Sequence, residues 1–168
     1  MIWGHHKILE RLDELFPLTR PYKIGSASVD VRVGKQVILE SSPAKEDISV
    51  FTEDIPWIVQ PNEFILVEMM EHTVIPDGVS CLFLLKSSSA RAGWSHSFAG
   101  WIDPGWDGIL TMELKNYNQN KPLPLWPGMA IGQLIYMDTD ESGVYRGRYQ
   151  HSTEVSGVRK EIEYDAGA

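Results

Sequence analysis

The residues with the greatest chemical capacity lie between Lys86 and Asn116, in KSSSARAGWSHSFAGWIDPGWDGILTMELKN. Ser87, Ser88 and Ser89 lead to Arg91. Hydroxyls and turn amides donate to phosphate oxygens, and an arginine adds charge with a two-pronged geometry. The same composition also suits an ordinary surface loop, and the spacing is not that of a G-x-x-x-x-G-K-[ST] phosphate loop. Asp103 precedes Pro104-Gly105. It either caps that tight turn through its side chain or contacts a ligand hydroxyl or cation. Glu113 sits in the otherwise apolar run ILTMEL. A carboxylate there either faces solvent or is buried with a partner. Burial would raise its pKa and a neighbouring arginine would lower it. Such a balance suits a group that accepts and returns a proton near neutral pH.

Other chemistries find less support. Zinc-dependent base deamination needs a His or Cys ligand with a Cys-x-x-Cys pair, and this chain has one cysteine, Cys81. His5 and His6 could be half of a metal site, but they also fit a solvated helix start with no third ligand nearby. His72, His96 and His151 are far apart in sequence and unmatched, so no metal cage is expected. No G-x-S-x-G elbow is present. The net charge of -8 and pI near 5.1 argue against nucleic-acid and anionic-membrane partners, while leaving room for a local cationic pocket. A single cysteine, no leader and no long apolar run point to the cytoplasm.

The elements that must position these groups are mostly strands. A chain of 168 residues, 43% hydrophobic, predicts one domain with a core that needs no staples. His5 to Phe16 reads as a helix, with Ile8, Leu9, Leu12, Leu15 and Phe16 on one face and Pro17 limiting its extension. From Gly25 the period becomes two: Val29, Val31 and Val33 point one way, and Ser28, Asp30 and Arg32 the other. Gln36 to Leu39 continues as strand. Ser41 to Asp47, polar and carrying Pro43, reads as a loop. Trp57 to Val59 and Phe64 to Met70 flank Pro61-Asn62-Glu63 as a strand-turn-strand unit. Leu123 to Trp126 and Met129 to Tyr136 repeat that pattern around Pro127-Gly128. Cys81 to Leu85 and Ile109 to Leu114 are further strands, and a Pro-Asp-Gly turn falls between Val74 and Val79. Such spacing suggests a sandwich or barrel. The tail from Asp138 is charged and rich in Gly and Ser, which predicts mobility with anchors at Tyr145 and Tyr149.

Together KSSSARAGW, AGWIDPGWDGILTMELKN and PLWPGMAIGQLIY resemble the dCTP deaminases of the dUTPase-like superfamily. The likeness begins at ASVDVRVG, runs through QPNEFILVEMMEHTVIPDGV and reaches YRGRYQ, about four fifths of the chain. It implies a mainly β, distorted barrel with a short N-terminal helix, assembled as a homotrimer with active sites between subunits. Residues 1–168 would form one domain, with 138–168 a mobile tail closing on the nucleotide. It implies hydrolytic loss of ammonia from dCTP to give dUTP, without zinc, with magnesium accompanying the triphosphate. Glu113 would activate water and move protons. Ser87 would orient the water or amine, Arg91 would hold Glu113 ionised, and Ala99 would offer a backbone carbonyl. Lys86, Ser88, Ser89 and Ala90 would join Arg91 on the triphosphate. Asp103 would contact the sugar, Thr111 and Met112 the base, and Tyr145, Arg148 and Tyr149 would close over the ligand.

The chain also departs from that pattern. Lys86 stands where arginine is usual, which keeps the charge and loses the fork. Ser89 replaces an apolar residue, and the segment from Arg91 to Ala99 is one residue short. Phe98 stands where a small polar residue is common. The tail reads RYQHSTEVSG, without a match for the family's last glutamine. A bifunctional enzyme that carries dCTP to dUMP and pyrophosphate would retain Glu113. A dUTPase acting on dUTP alone would lack it and would carry a glycine-rich tail motif. A non-catalytic nucleotide-binding module is the remaining alternative.

Overall fold

A computed structural model describes residues 1–97, 99–140 and 143–158, except for the side chain of Pro43. Phe98 and the end of the tail, residues 159–168, lie outside the described residues. The architecture is organised by one long strand. In order the strands are β1 (Lys23–Ile24), β2 (Val29–Leu39), β3 (Ser42–Asp47), β4 (Trp57–Val59), β5 (Phe64–Val74) and β6 (Val79–Leu85). They continue with β7 (Trp94–His96), β8 (Trp101–Ile102), β9 (Asp107–Asn116), β10 (Leu123–Leu125) and β11 (Ala130–Asp138). Nine of them form one sheet, ordered β7-β9-β5-β2-β11-β6-β8, with β1 and β3 also paired to β2.

β2 changes partners along its length. Its first half lies between β1 and β11, and its second half between β3 and β5. The register against β5 shifts between Val33 and Val37, and bulges of this kind bend a strand and increase its twist. Glu68 stabilises the irregularity by accepting the Lys35 and Gln36 amides. Gly34 makes room for it, since a Cβ there would lie 2.2 Å from Glu68 Cγ. The sheet therefore curls into the expected mainly β, barrel-like form. Its core includes the fully buried Val29, Val31, Val33, Ile65, Val67 and Leu114. Asp30 on the opposite face of β2 is also buried. It forms an ion pair with Lys86, the partner that a buried carboxylate requires.

Several local expectations are corrected by tertiary packing. The N-terminal helix is two pieces, α1 (His5–Glu10) and α2 (Leu12–Leu15), broken at Arg11. The break lets Ile8, Leu15 and Phe16 bury, while Leu9 turns to solvent; short helices take their stability from packing. Ser42 to Asp47 is a strand, not a loop, because its backbone pairs with the free edge of β2 while its polar side chains face water. Neither Pro-centred unit is a hairpin. β4 and β10 pair with each other, Val59 opposite Leu123 and Trp57 opposite Leu125, so that Val59, Leu123 and Leu125 all reach the core. The Pro76-Asp77-Gly78 turn is present, with Gly78 at φ 72°. Ser87 to Ala92 is a helix, α3, where a turn was expected, and it ends on Gly93 in the left-handed region.

Candidate active site

β9 separates two environments by its period of two. Leu114 enters the core, while Thr111 and Glu113 face a cavity of about 380 Å³ whose wall the buried Met112 also reaches. Phe64, Leu66 and Phe83 supply apolar wall, and Trp106, Tyr145 and Tyr149 supply aromatic wall. Glu113 lies opposite Leu66 on β5. Burial pushes its carboxyl above the ordinary value, only partly offset by its own backbone amide. Among the described residues no cation forms an ion pair with it. A carboxylate desolvated in this way holds a proton more readily and remains basic enough to take one from water.

The segment from Ala99 to Trp106 forms the cavity's second side. Ala99 and Asp103 both line it and both are exposed. Phe83 N donates to the Gly100 carbonyl at 2.7 Å, which brings the segment against β6. The Asp103 carboxylate accepts from Trp101 Nε1 at 2.9 Å. Among the described residues that carboxylate makes no hydrogen bond to the backbone of the Pro104-Gly105 turn. Gly105, at φ 81°, donates its amide to the Ile75 carbonyl at 2.7 Å; this left-handed conformation favours glycine.

The described part of the tail is packed along β9. Ile109 N donates to Ser152 O at 2.7 Å, Tyr145 N to Pro104 O at 2.7 Å, and Ser156 N to Thr111 Oγ1 at 3.0 Å. Val155 is fully buried. Histidines expected to be unmatched meet here: His72 Nε2 is 2.6 Å from Asp107 Oδ1, and His151 Nδ1 is 3.3 Å from Asp107 Oδ2. Residues distant in sequence converge because β5, β9 and the tail lie side by side.

The predicted residues fall into two groups. Ala99, Asp103, Thr111, Met112, Glu113, Tyr145 and Tyr149 all line the cavity. Lys86 to Arg91 do not line it within one chain. In α3, Ser87, Ser88, Ala90 and Arg91 are exposed and Ser89 is buried. Lys86 is committed to Asp30 instead of projecting freely. Arg148 is exposed and outside the cavity wall. Sequence reasoning missed Phe64, Leu66, Phe83, Trp106, Ser152 and Ser156 as wall residues. Only the period-two pattern of β5 and β9 could have suggested Leu66, through its place opposite Glu113.

Comparison with known proteins follows the same outline. A family model described as dCTP deaminase-like matches residues 3–139. The "dCTP deaminase, dUMP-forming" of Acidothermus cellulolyticus is 39% identical over 150 residues, covering 77% of this chain and 78% of that protein. The protein of the same name from Persephonella marina is 30% identical over 185 residues, covering 98% of this chain and all of its own length (100%). In fold alone, the chain is similar to the 2'-deoxycytidine 5'-triphosphate deaminase of Agrobacterium tumefaciens, with a TM-score of 0.66 at 17% identity. That match covers 80% of this chain and 47% of the other. A Staphylococcus bacteriophage 80alpha dUTPase matches with a TM-score of 0.53 at 15% identity, covering 84% and 86%.

Proposed function

The chain belongs to the dCTP deaminase-like family, and from that premise we propose that it deaminates dCTP hydrolytically and carries the product on to dUMP and pyrophosphate. The observation that carries the deaminase reading is Glu113, a desolvated carboxylate on the wall of an apolar cavity of nucleoside-like size. In this reading, Glu113 takes a proton from water as the oxygen attacks C4 of cytosine, and passes that proton to N3. It then takes the second proton from the new hydroxyl and delivers it to the amine. The C4–N bond breaks, ammonia leaves, and a uracil carbonyl remains. Ala99 and Asp103 border the base and sugar, and Tyr145 and Tyr149 cover them. The dUMP-forming names of the relatives favour the second step over the release of dUTP expected first. There a second water attacks the α-phosphorus, and the bond to the bridging oxygen breaks with departure of pyrophosphate.

Ser87 and Arg91 reach a cavity only from a neighbouring copy in this reading, which makes the working unit a homotrimer with sites between chains. Arg91 of one copy would then favour the ionised form of Glu113 in the next. Magnesium would enter on the triphosphate oxygens and neutralise their charge. The test is incubation of the protein with dCTP and with dUTP, each with magnesium, followed by chromatography. Ammonia, dUMP and pyrophosphate from dCTP are the expected products. Accumulation of dUTP would reduce the activity to deamination alone, turnover of dUTP only would mean a dUTPase, and no turnover with saturable binding would overturn the enzyme reading.

A further inference from the structure

Between β9 and α3 runs a chain of side-chain amides outside the wall of the cavity that Glu113 lines. Asn116, three residues beyond Glu113, is fully buried. Its Nδ2 donates to Val59 O at 3.1 Å and to Lys121 O at 2.9 Å. Its Oδ1 accepts from Asn118 N and from Asn118 Nδ2, both at 3.0 Å. The second proton of Asn118 Nδ2 goes to Ala92 O at 3.1 Å, at the end of α3. Tyr117 N donates to Gly93 O at 2.8 Å beside it. The approach is close enough that a Cβ on residue 93 would lie 2.1 Å from Asn118 Nδ2. Both protons of each side-chain amide in this relay have a partner, as does the Asn116 carbonyl, and a buried network satisfied in this way rigidifies what it joins. At its other end α3 is held by Lys86, whose amide donates to Ile131 O at 3.0 Å and whose ammonium pairs with Asp30.

We propose that Asn118 is a positioning residue: through Asn116 and Ala92 it sets the pose of α3, and hence of Ser87 and Arg91, relative to the strand that carries Glu113. This rests on the reading of α3 as one half of a site shared between copies. On that reading α3 and Glu113 of one chain serve different cavities. Asn118 therefore acts on the cavity of the neighbouring copy, not on the one in its own chain.

Asn118→Ala and Asn118→Asp both remove the donor to Ala92. Hydrogen exchange of the amides of residues 89–93 should accelerate in both variants, while β9 amides next to Glu113 stay protected. The turnover parameter kcat/KM for dCTP should fall about 10- to 100-fold, the scale of a misplaced catalytic group. Mixed trimers then separate positioning from general loss of structure. Chains bearing Asn118→Ala, co-assembled with inactive Glu113→Gln chains, should exceed the summed activity of the two alone, because some cavities combine an intact α3 with an intact Glu113. Unchanged exchange in α3, or mixed trimers that show no gain, would overturn the proposal. A wild-type protein inert toward dCTP would instead overturn the deaminase reading, and the exchange measurement would still decide the coupling.

Discussion

Glu113 is a carboxylate whose surroundings oppose its charge. Replacing it with Gln should lower kcat for ammonia release about 100- to 10,000-fold, the usual span of general acid–base catalysis, while nucleotide binding measured by calorimetry persists. Stability should move the other way. Its folded pKa is raised, so the native chain binds this proton more tightly than the unfolded chain does. The associated stability is present below the unfolded carboxylate value, about 4.3, and is lost as pH rises through the folded value. At pH 7 Glu113→Gln should therefore melt higher than the wild type, and the difference should vanish in acid; a lower Tm at pH 7 would show that burial is not what governs this group. The acid limb of kcat/KM in the unsubstituted protein should likewise lie above the ordinary glutamate range; a limb within that range would show that a cation from a neighbouring copy offsets the burial. An isolated carboxylate was legible in ILTMEL, but its role was implied only by the resemblance of the motifs around it. The sign of its shift was not, because burial and a nearby cation oppose each other and only coordinates show which is close.

At the scale of elements, β2 and β9 do most of the organising. The Gly34 bulge lets β2 pass from one set of partners to the other, and Glu68 fills the space that a side chain would occupy. Gly34→Ala should cost about 1–3 kcal/mol, the usual range for overpacking, read from the urea midpoint; an unchanged midpoint would mean that Glu68 can leave without loss. The tail is anchored along β9 by Ser152, Ser156 and the buried Val155. Val155→Ala should loosen it and raise KM for the nucleotide more than it lowers kcat, as steady-state kinetics would show. Equal effects on both would remove the tail from substrate closure. β2 was legible from alternation, and β5 and β9 from apolar runs set between turn residues. β3 was not, because its pairing with β2 leaves its polar side chains in water and no apolar period to read. The paired Pro-centred units misled for a related reason: turn residues report where a chain reverses, and not which strand it meets afterwards.

For the whole molecule, the separation of α3 from the cavity is the decisive arrangement. It makes assembly a functional requirement in the proposed reading. Sedimentation should give three times the 19.0 kDa mass of one chain, and dilution below the assembly threshold should abolish turnover; full activity in a monomer would end the shared-site reading. Among the described residues no helix is long and apolar enough to cross a membrane. The sequence alone determined the family, the mainly β class, and the identity of Glu113, Asp103, Ala99 and Tyr145 as residues that meet in one place. It could do so because motif order and residue type survive as local signals along the chain. Tertiary structure decided which face of β9 is dry, that Lys86 is committed to Asp30, that His72 and His151 share Asp107, and that α3 stands apart from the cavity. Those facts depend on pairings between segments distant in the chain, and desolvation and distance come into being only when the strands are laid side by side.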